Sequence, residues 1–244
     1  MSPRIPAQLP EPLLFAHRGA SAVAPDNTLE AFRLALRLGT NALESDVWAS
    51  SDGQAVLAHD DNIGTALRRR MITKTEAASL PEHVPLLVDL FDAVGAEVTL
   101  SLDIKQDSAI DATVDVLRAV SDRTGVDVVR RTWLCHPRLD LLASWRSRWS
   151  DVRLVHSTRL DRLDGGAERH ASVLFEAGID AVNFRAPDWT GGLTTLYHRF
   201  GIHCFGWHAH LERVSKELLD MGCDAIFSNH VDRMLAARRL VYGV

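Results

Sequence analysis

The run TWLCHPRLDLLASWRSRWSDVRLVHSTRLDRLDGGAERHASVLFEAGIDAVNF, residues 132–184, decides the fold. Its apolar segments, Thr132–His136, Val152–Ser157 and Ala181–Phe184, have strand length and are rich in Val, Leu and aromatic residues. Between them lie Leu139–Trp149 and Ala167–Ala177, whose apolar residues recur at helical spacing. Strands that alternate with helices predict a parallel sheet, because parallel neighbours need a crossover long enough to hold a helix.

The alternation continues in both directions. Upstream, Leu13–His17, Ala42–Trp48 and Val98–Lys105 read as strands, with helices at Thr28–Leu38, Leu86–Val94 and Ala109–Val120. Downstream, a helix at Leu193–Phe200 precedes strands at His203–His208 and Ala225–Ser228, and helices follow at Glu212–Met221 and Asp232–Leu240. Eight strand–helix units in 244 residues predict one closed (β/α)8 barrel, a TIM barrel, over residues 1–244. The competing reading is an open doubly wound sheet, which would carry a Gly-rich phosphate loop after the first strand. His17-Arg18-Gly19-Ala20-Ser21-Ala22 is not such a loop.

The first helix has Leu29, Phe32, Ala35 and Leu36 on its inner stripe, Asn27 or Asp26 as cap, and Gly39 as stop. After the second strand, Ser51-Asp52-Gly53 makes a tight turn into a hairpin partner, Ala55–His59. Residues 60–85 break the pattern. The basic run Arg68-Arg69-Arg70 and the polar, weakly helical Met71–Leu80 read as a short insertion over the barrel mouth.

Composition bounds the function. With 46% hydrophobic and 24% charged residues, the chain has ample material for a core. A net charge of −5 argues against non-specific binding to nucleic acid or anionic membranes. Cys135, Cys204 and Cys223 are odd in number and widely spaced, so they predict reduced, buried thiols in place of a disulfide framework or a metal pair. The N-terminal MSPRIPAQLPEPLL lacks the apolar stretch of a signal peptide, and no 18-residue apolar run occurs. A cytoplasmic protein without integral membrane association is the expectation.

In a barrel of this kind the chemistry sits at the C-terminal ends of the strands. There the sequence places His17-Arg18-Gly19, Glu44-Ser45-Asp46, His59-Asp60, Asp103-Ile104-Lys105 and Trp207-His208. Strand side chains alternate faces, so Glu44 pairs with Asp46 and Asp103 with Lys105. Apolar Ile104 suits the helix layer, which turns Asp103 and Lys105 inward. Three carboxylates aimed into one low-dielectric interior repel one another, and a divalent cation relieves this. All-oxygen ligands point to a hard ion, Mg²⁺ or Ca²⁺. The alternative is a set of mouth residues held by salt bridges, Lys105 neutralising Asp103. His17 and His59 flank the cluster and suit paired acid and base work. With Arg18 and Lys105 added, the set suits a phosphate ester. Trp207 faces inward, either to stack on substrate or to fill the core. His136, His156, His208 and His210 read as polar mouth residues, with His208 the one to reach the site. Trp145 and Trp149 read as helix packing, and the arginine run as a solvated face.

FAHRGASAVAPDNTLEAFRLALRLGTNALESDVWASSDGQAVLAHDD, residues 15–61, resembles the start of the glycerophosphodiester phosphodiesterases. His-Arg-Gly, a Pro-Asp-Asn-Thr turn, Glu-x-Asp, Asp-Gly and His-Asp occur in the order of that family. LSLDIK (100–105), GIHCFGW (201–207) and GCDAIFSN (222–229) resemble its later strands. The resemblance implies a barrel that hydrolyses glycerophosphodiesters to glycerol phosphate and an alcohol, the glycerol 2-hydroxyl attacking phosphorus first. It implies His17 and His59 as acid and base, Glu44, Asp46 and Asp103 as metal ligands, and Arg18 and Lys105 on the phosphate.

The departures concern the substrate more than the reaction. Asp26 and Asp103 stand where the family has Glu, Asn62-Ile63-Gly64-Thr65 replaces an Asp-Arg-Thr-Thr-like start, His208-Ala209-His210 replaces a Thr-Val-Asn-like run, and Ser228-Asn229-His230 lacks the usual Thr-Asp. A lysophospholipid-cleaving, phospholipase D-like enzyme and a non-catalytic phosphodiester-binding barrel are the alternatives.

Overall fold

The computed structural model describes residues 5–64 and 69–243. Thr65 and Arg68, at the start of the insertion and in its basic run, lie outside these residues. Eight parallel strands close into a barrel: β1 (Leu13–His17), β2 (Ala42–Ala49), β3 (Thr99–Ile104), β4 (Thr132–His136), β5 (Arg153–Ser157), β6 (Ala181–Arg185), β7 (His203–Trp207) and β8 (Ala225–Ser228). Each pairs with the next, and β1 closes the ring by pairing with both β8 and β2. Helices α1 (Leu29–Leu38), α2 (Leu87–Val94), α3 (Ala109–Thr124), α4 (Leu139–Arg148), α5 (Gly166–Glu176), α6 (Gly191–Arg199), α7 (Glu212–Asp220) and α8 (Val231–Tyr242) form the outer layer. A single helical turn, Val128–Arg131, precedes β4.

Strand alternation divides the core in two. Leu100, Leu102 and Ile104 of β3 pack outward with Phe32, Leu90, Val114 and Leu117 of the helices. Phe15, Trp133, Val155, Phe205 and Phe227 fill the barrel interior. Phe15 stacks on Phe227 at 4.6 Å, and Trp133 meets Phe205 edge-on at 4.9 Å. Burial of each such side chain contributes about 1.5–3 kcal/mol. This aromatic layer is the floor on which the polar residues two positions further along each strand stand. All three cysteines are free and buried.

The hairpin strand Ala55–Leu57 runs antiparallel to the C-terminal end of β2. The insertion packs on it: Val56, Ala58, Ile63 and Ile72 form a small cluster of their own, covered by Trp48, Leu80 and Val84. In place of a weak helix it carries a two-residue bridge, Asn62–Ile63 with Arg70–Met71, and two short 3-10 turns. Trp145 and Trp149 pack in the helix layer, as their spacing predicts. No helix among the described residues is long and apolar enough to cross a membrane.

Candidate active site

The cap of α1 differs from the sequence reading, and the difference builds the site. Thr28 is the N-cap, its Oγ1 accepting from Ala31 N at 3.2 Å. Asn27 is turned away from the helix instead, with φ 53°. Its Nδ2 donates to Asp46 Oδ2 at 3.2 Å, and its Oδ1 accepts from Ser45 Oγ at 2.7 Å. Asn tolerates this left-handed conformation because its short polar side chain bonds locally. Arg18 and His208 have the same conformation, at φ 56° and 64°. Arg18 and His208 lie directly beyond β1 and β7 and Asn27 directly before the cap of α1, all at the barrel mouth, where such strain of about 1–3 kcal/mol per residue is held by surrounding contacts.

Arg18 uses that turn. Its main-chain N–H donates to Glu44 Oε2 at 2.9 Å, its Nε lies 3.3 Å from Asp46 Oδ2, and its guanidinium reaches Asp26 at 3.2 Å. Gly19, at φ 79°, allows the close approach, since a Cβ there would lie 2.6 Å from the Ala31 carbonyl carbon. Across the ring, Lys105 Nζ sits 2.7 Å from Asp46 Oδ1 and 3.7 Å from Asp103 Oδ2. Asp46 and Asp103 are register partners on β2 and β3, and His17 of β1 is the partner of Glu44. The alternation argument therefore places each of these side chains correctly.

Oxygen atoms of Glu44, Asp46 and Asp103 all lie within 4.8 Å of one another. Burial and the charges of Asp46 and Asp103 push the Glu44 carboxyl well above its ordinary range. Loss of solvation raises Asp103 to about 6, against the pull of Lys105. Burial lowers Lys105, but the charges of Asp103 and Asp46 outweigh it and hold the ammonium above its usual value. Three acids thus share two cations, an arrangement a bound dication would complete. The donor set is all oxygen, in keeping with a hard ion.

His17, Arg18, Glu44, Asp103, Ser157, Asn183, Trp207, His208, His210 and Phe227 line one cavity of about 270 Å³. His17 Nδ1 lies 2.7 Å from Asn229 Oδ1, and its Nε2 lies 3.9 Å from Glu44 Oε2. Burial and the neighbouring Arg18 charge lower it to about 4, so the ring is neutral at neutral pH. His59 is not in this cavity. It lines an adjoining groove with Asp26, Asn27 and Asp60, and Arg18 belongs to both. It is 43% exposed, with Nδ1 3.0 Å from Asp60 Oδ1. A third hollow adjoins Asp103 and Lys105 on the far side, lined also by Cys135 and His136.

Of the four other histidines at strand ends, His208 and His210 reach the cavity. His156 instead faces the helix layer, where it bonds His170 at 2.8 Å, and His170 in turn bonds Tyr197 at 2.7 Å. Sequence reasoning does not single out Asn183, and it reads Asn27 only as a helix cap, although the Pro-Asp-Asn-Thr turn marks its place. His210 and Asn229 enter it as departures from the family pattern that bear on the substrate, without a role of their own.

Residues 17–233 match the Glycerophosphoryl diester phosphodiesterase family. A Bacillus subtilis protein named "Putative glycerophosphodiester phosphodiesterase YhdW" is 46% identical over 237 residues, which span 90% of this chain and 95% of that one. Among solved structures, an Oleispira antarctica phosphodiesterase in complex with the product sn-glycerol-3-phosphate is similar at TM-score 0.79 and 22% identity, covering 93% of this chain and 96% of that one. A glycerophosphodiester phosphodiesterase of Thermotoga maritima is similar at TM-score 0.77 and 20% identity, covering 93% and 99%. These likenesses share the TIM barrel described above, and the sequence match spans both its carboxylate cluster and the histidines beside it. The chain belongs to the glycerophosphoryl diester phosphodiesterase family.

Proposed function

We propose that this chain hydrolyses glycerophosphodiesters to glycerol 3-phosphate and an alcohol. In this reading the barrel is the whole catalytic unit, with insertion 60–85 on its rim. His17, in the cavity, and His59, in the adjoining groove that shares Arg18 with it, exchange protons with a substrate that spans the two. Glu44, Asp46 and Asp103 hold one divalent ion, Mg²⁺ or Ca²⁺. Such an ion, when bound, supplies Lewis-acid stabilisation of charge on the phosphate oxygens. Arg18 and Lys105 add fixed positive charge against the same oxygens. Trp207 offers a flat wall to the glycerol or alcohol.

The observation that carries the reading is the cavity bounded by His17, Arg18, Glu44 and Asp103, with Asp46 and Lys105 bonded behind it. Its volume, about 270 Å³, falls just below the usual ligand-pocket range of roughly 300–1,000 Å³. That size accommodates a small polar diester. The product held by the Oleispira antarctica relative supports the same substrate class.

The test is release of glycerol 3-phosphate from glycerophosphocholine and glycerophosphoethanolamine by metal-stripped protein, before and after addition of Mg²⁺, Ca²⁺ or Mn²⁺. Release restored by an added ion is the expected result. Release from lysophospholipids alone would replace this reading with the lysophospholipid one. Calorimetric binding of a diester without turnover under any ion would leave a binding barrel.

A further inference from the structure

The proton chemistry of this site depends on which nitrogen of each imidazole carries hydrogen, and the end of β8 decides that for two rings. Asn229 follows directly on β8. Its side-chain Oδ1 lies 2.7 Å from His17 Nδ1. The other ring nitrogen of His17, Nε2, has Glu44 Oε2 at 3.9 Å, beyond hydrogen-bond reach. The ring's hydrogen therefore belongs on Nδ1, where its acceptor is, and Nε2 keeps a free lone pair. The main-chain N–H of the same residue points at His210 Nδ1, 3.3 Å away. A backbone N–H can only donate, so His210 Nδ1 must accept, and the neutral ring carries its hydrogen on Nε2. The His210 ring is fixed further by Ser228 Oγ at 3.4 Å, by His208 with ring centres 5.2 Å apart, and by Arg233, which bonds the His210 carbonyl at 2.7 Å. Both His17 and His210 line the cavity.

We propose that Asn229 is a positioning residue that sets these two histidines in opposite tautomers, so that His17 presents a proton-accepting Nε2 and His210 an Nε2–H donor to a bound phosphodiester. One residue does this with two groups of opposite character, its side-chain oxygen and its main-chain N–H. The proposal rests on the phosphodiesterase reading for the use of the lone pair: a substrate hydroxyl gives its proton to His17 Nε2 while Nδ1–H stays on Asn229. His210, whose ring is held from behind, offers its N–H to an oxygen of the substrate. Fixing a ring by the bond on its far nitrogen is how a neutral histidine is given one chemical sense.

The two groups can be separated by mutation. Asn229→Ala removes the oxygen and keeps the main-chain N–H. In protein carrying ¹⁵N-labelled histidine and loaded with Mg²⁺ or Ca²⁺, ring-nitrogen shifts report each tautomer. The wild type is expected to show His17 protonated on Nδ1 and His210 on Nε2. Asn229→Ala is expected to move His17 toward a mixture, leave His210 unchanged, and lower kcat by at least about tenfold with KM little altered. Asn229→Asp, whose carboxylate only accepts, is expected to restore the His17 tautomer and most of the turnover. His17 protonated on Nε2 in the wild type, or unchanged in Asn229→Ala, would overturn the positioning role. A His17 tautomer that moves while kcat stays constant would instead overturn the catalytic role given to His17.

Discussion

Asp224 lies at the N-terminal end of β8, beneath the barrel, and is fully buried. Its Oδ1 accepts from the main-chain N–H of Gln8 at 2.6 Å and of Leu9 at 2.9 Å. Its Oδ2 accepts from Cys204 N at 2.8 Å and His198 Nε2 at 2.9 Å, with His203 Nδ1 at 3.7 Å. One carboxylate thus bolts the N-terminal arm to the bottom of β7 and to α6. Burial opposes its ionisation, but the bonds from His198 and Cys204 N–H, with His203 close by, hold it well below the usual carboxylate range. Asp224→Asn replaces one acceptor oxygen with a donor NH₂. Turned toward Gln8 and Leu9, that group meets two N–H donors. Turned the other way it meets one, Cys204, while His198 can switch tautomer to accept. The better orientation leaves one buried N–H unpaired, about 1–3 kcal/mol, and reduces the two bonds from Gln8 and Leu9 from charge-assisted to neutral, about 1 kcal/mol each. The expected loss is about 3–5 kcal/mol, or roughly 6–20 °C in Tm for a chain of this size. Thermal and urea denaturation followed by circular dichroism measure it. The sign with pH is also fixed: a depressed carboxylate contributes fully above its unfolded value near 3.9 and loses that contribution as the pH falls through its folded value. The gap between wild type and variant should therefore narrow below about pH 4. A Tm within about 2 °C of wild type at neutral pH would refute the reasoning.

Other expectations are briefer. His17→Ala and His59→Ala should each lower kcat by about 10²–10⁴-fold with Tm nearly unchanged; wild-type turnover in either removes that residue from proton transfer. Gly19→Ala should destabilise by about 2–5 kcal/mol, combining a left-handed alanine with the 2.6 Å clash against Ala31, as read by urea denaturation. A loss under about 1 kcal/mol would mean that the turn yields. Asn27→Gly keeps the φ 53° backbone accessible but deletes the bond to Asp46, whereas Asn27→Ala also adds strain. Alanine should therefore be the less stable of the two by about 1 kcal/mol, and equal stabilities would deny the strain.

The sequence carried the barrel because its signal is local. Strands β1, β4 and β8 begin and end where the apolar runs do, and the face of β3 follows from a single residue. Ile104, apolar between two charges, was enough to turn Asp103 and Lys105 inward. What the sequence could not carry are contacts made by closing the ring. His17 and Asn229 stand 212 residues apart, and Gln8 and Asp224 are separated by 216. Neither pair leaves a trace in periodicity. The cap of α1 was misread for a related reason. Asn27 and Thr28 are both good caps by residue type, and only the presence of Asp46 on the neighbouring strand assigns Asn27 to the site.

The two ends of the barrel divide the work, and the alternation of the strands ties them together. Phe15 and His17, Phe205 and Trp207, and Phe227 and Asn229 are each two residues apart, so each pair shares the interior face. The lower member of each pair packs in the aromatic floor, and the upper member stands in the mouth. A slip of one residue in any of these strands would send both members to the helix layer, losing an aromatic anchor of about 1.5–3 kcal/mol along with the polar group above it. The register of the site is thus enforced by apolar packing, which has no stake in the chemistry. That constraint does not reach the turn beyond β7, where His208 and His210 lie. The packing fixes where a functional group stands, and the loop residue next to it fixes which of its atoms faces the substrate.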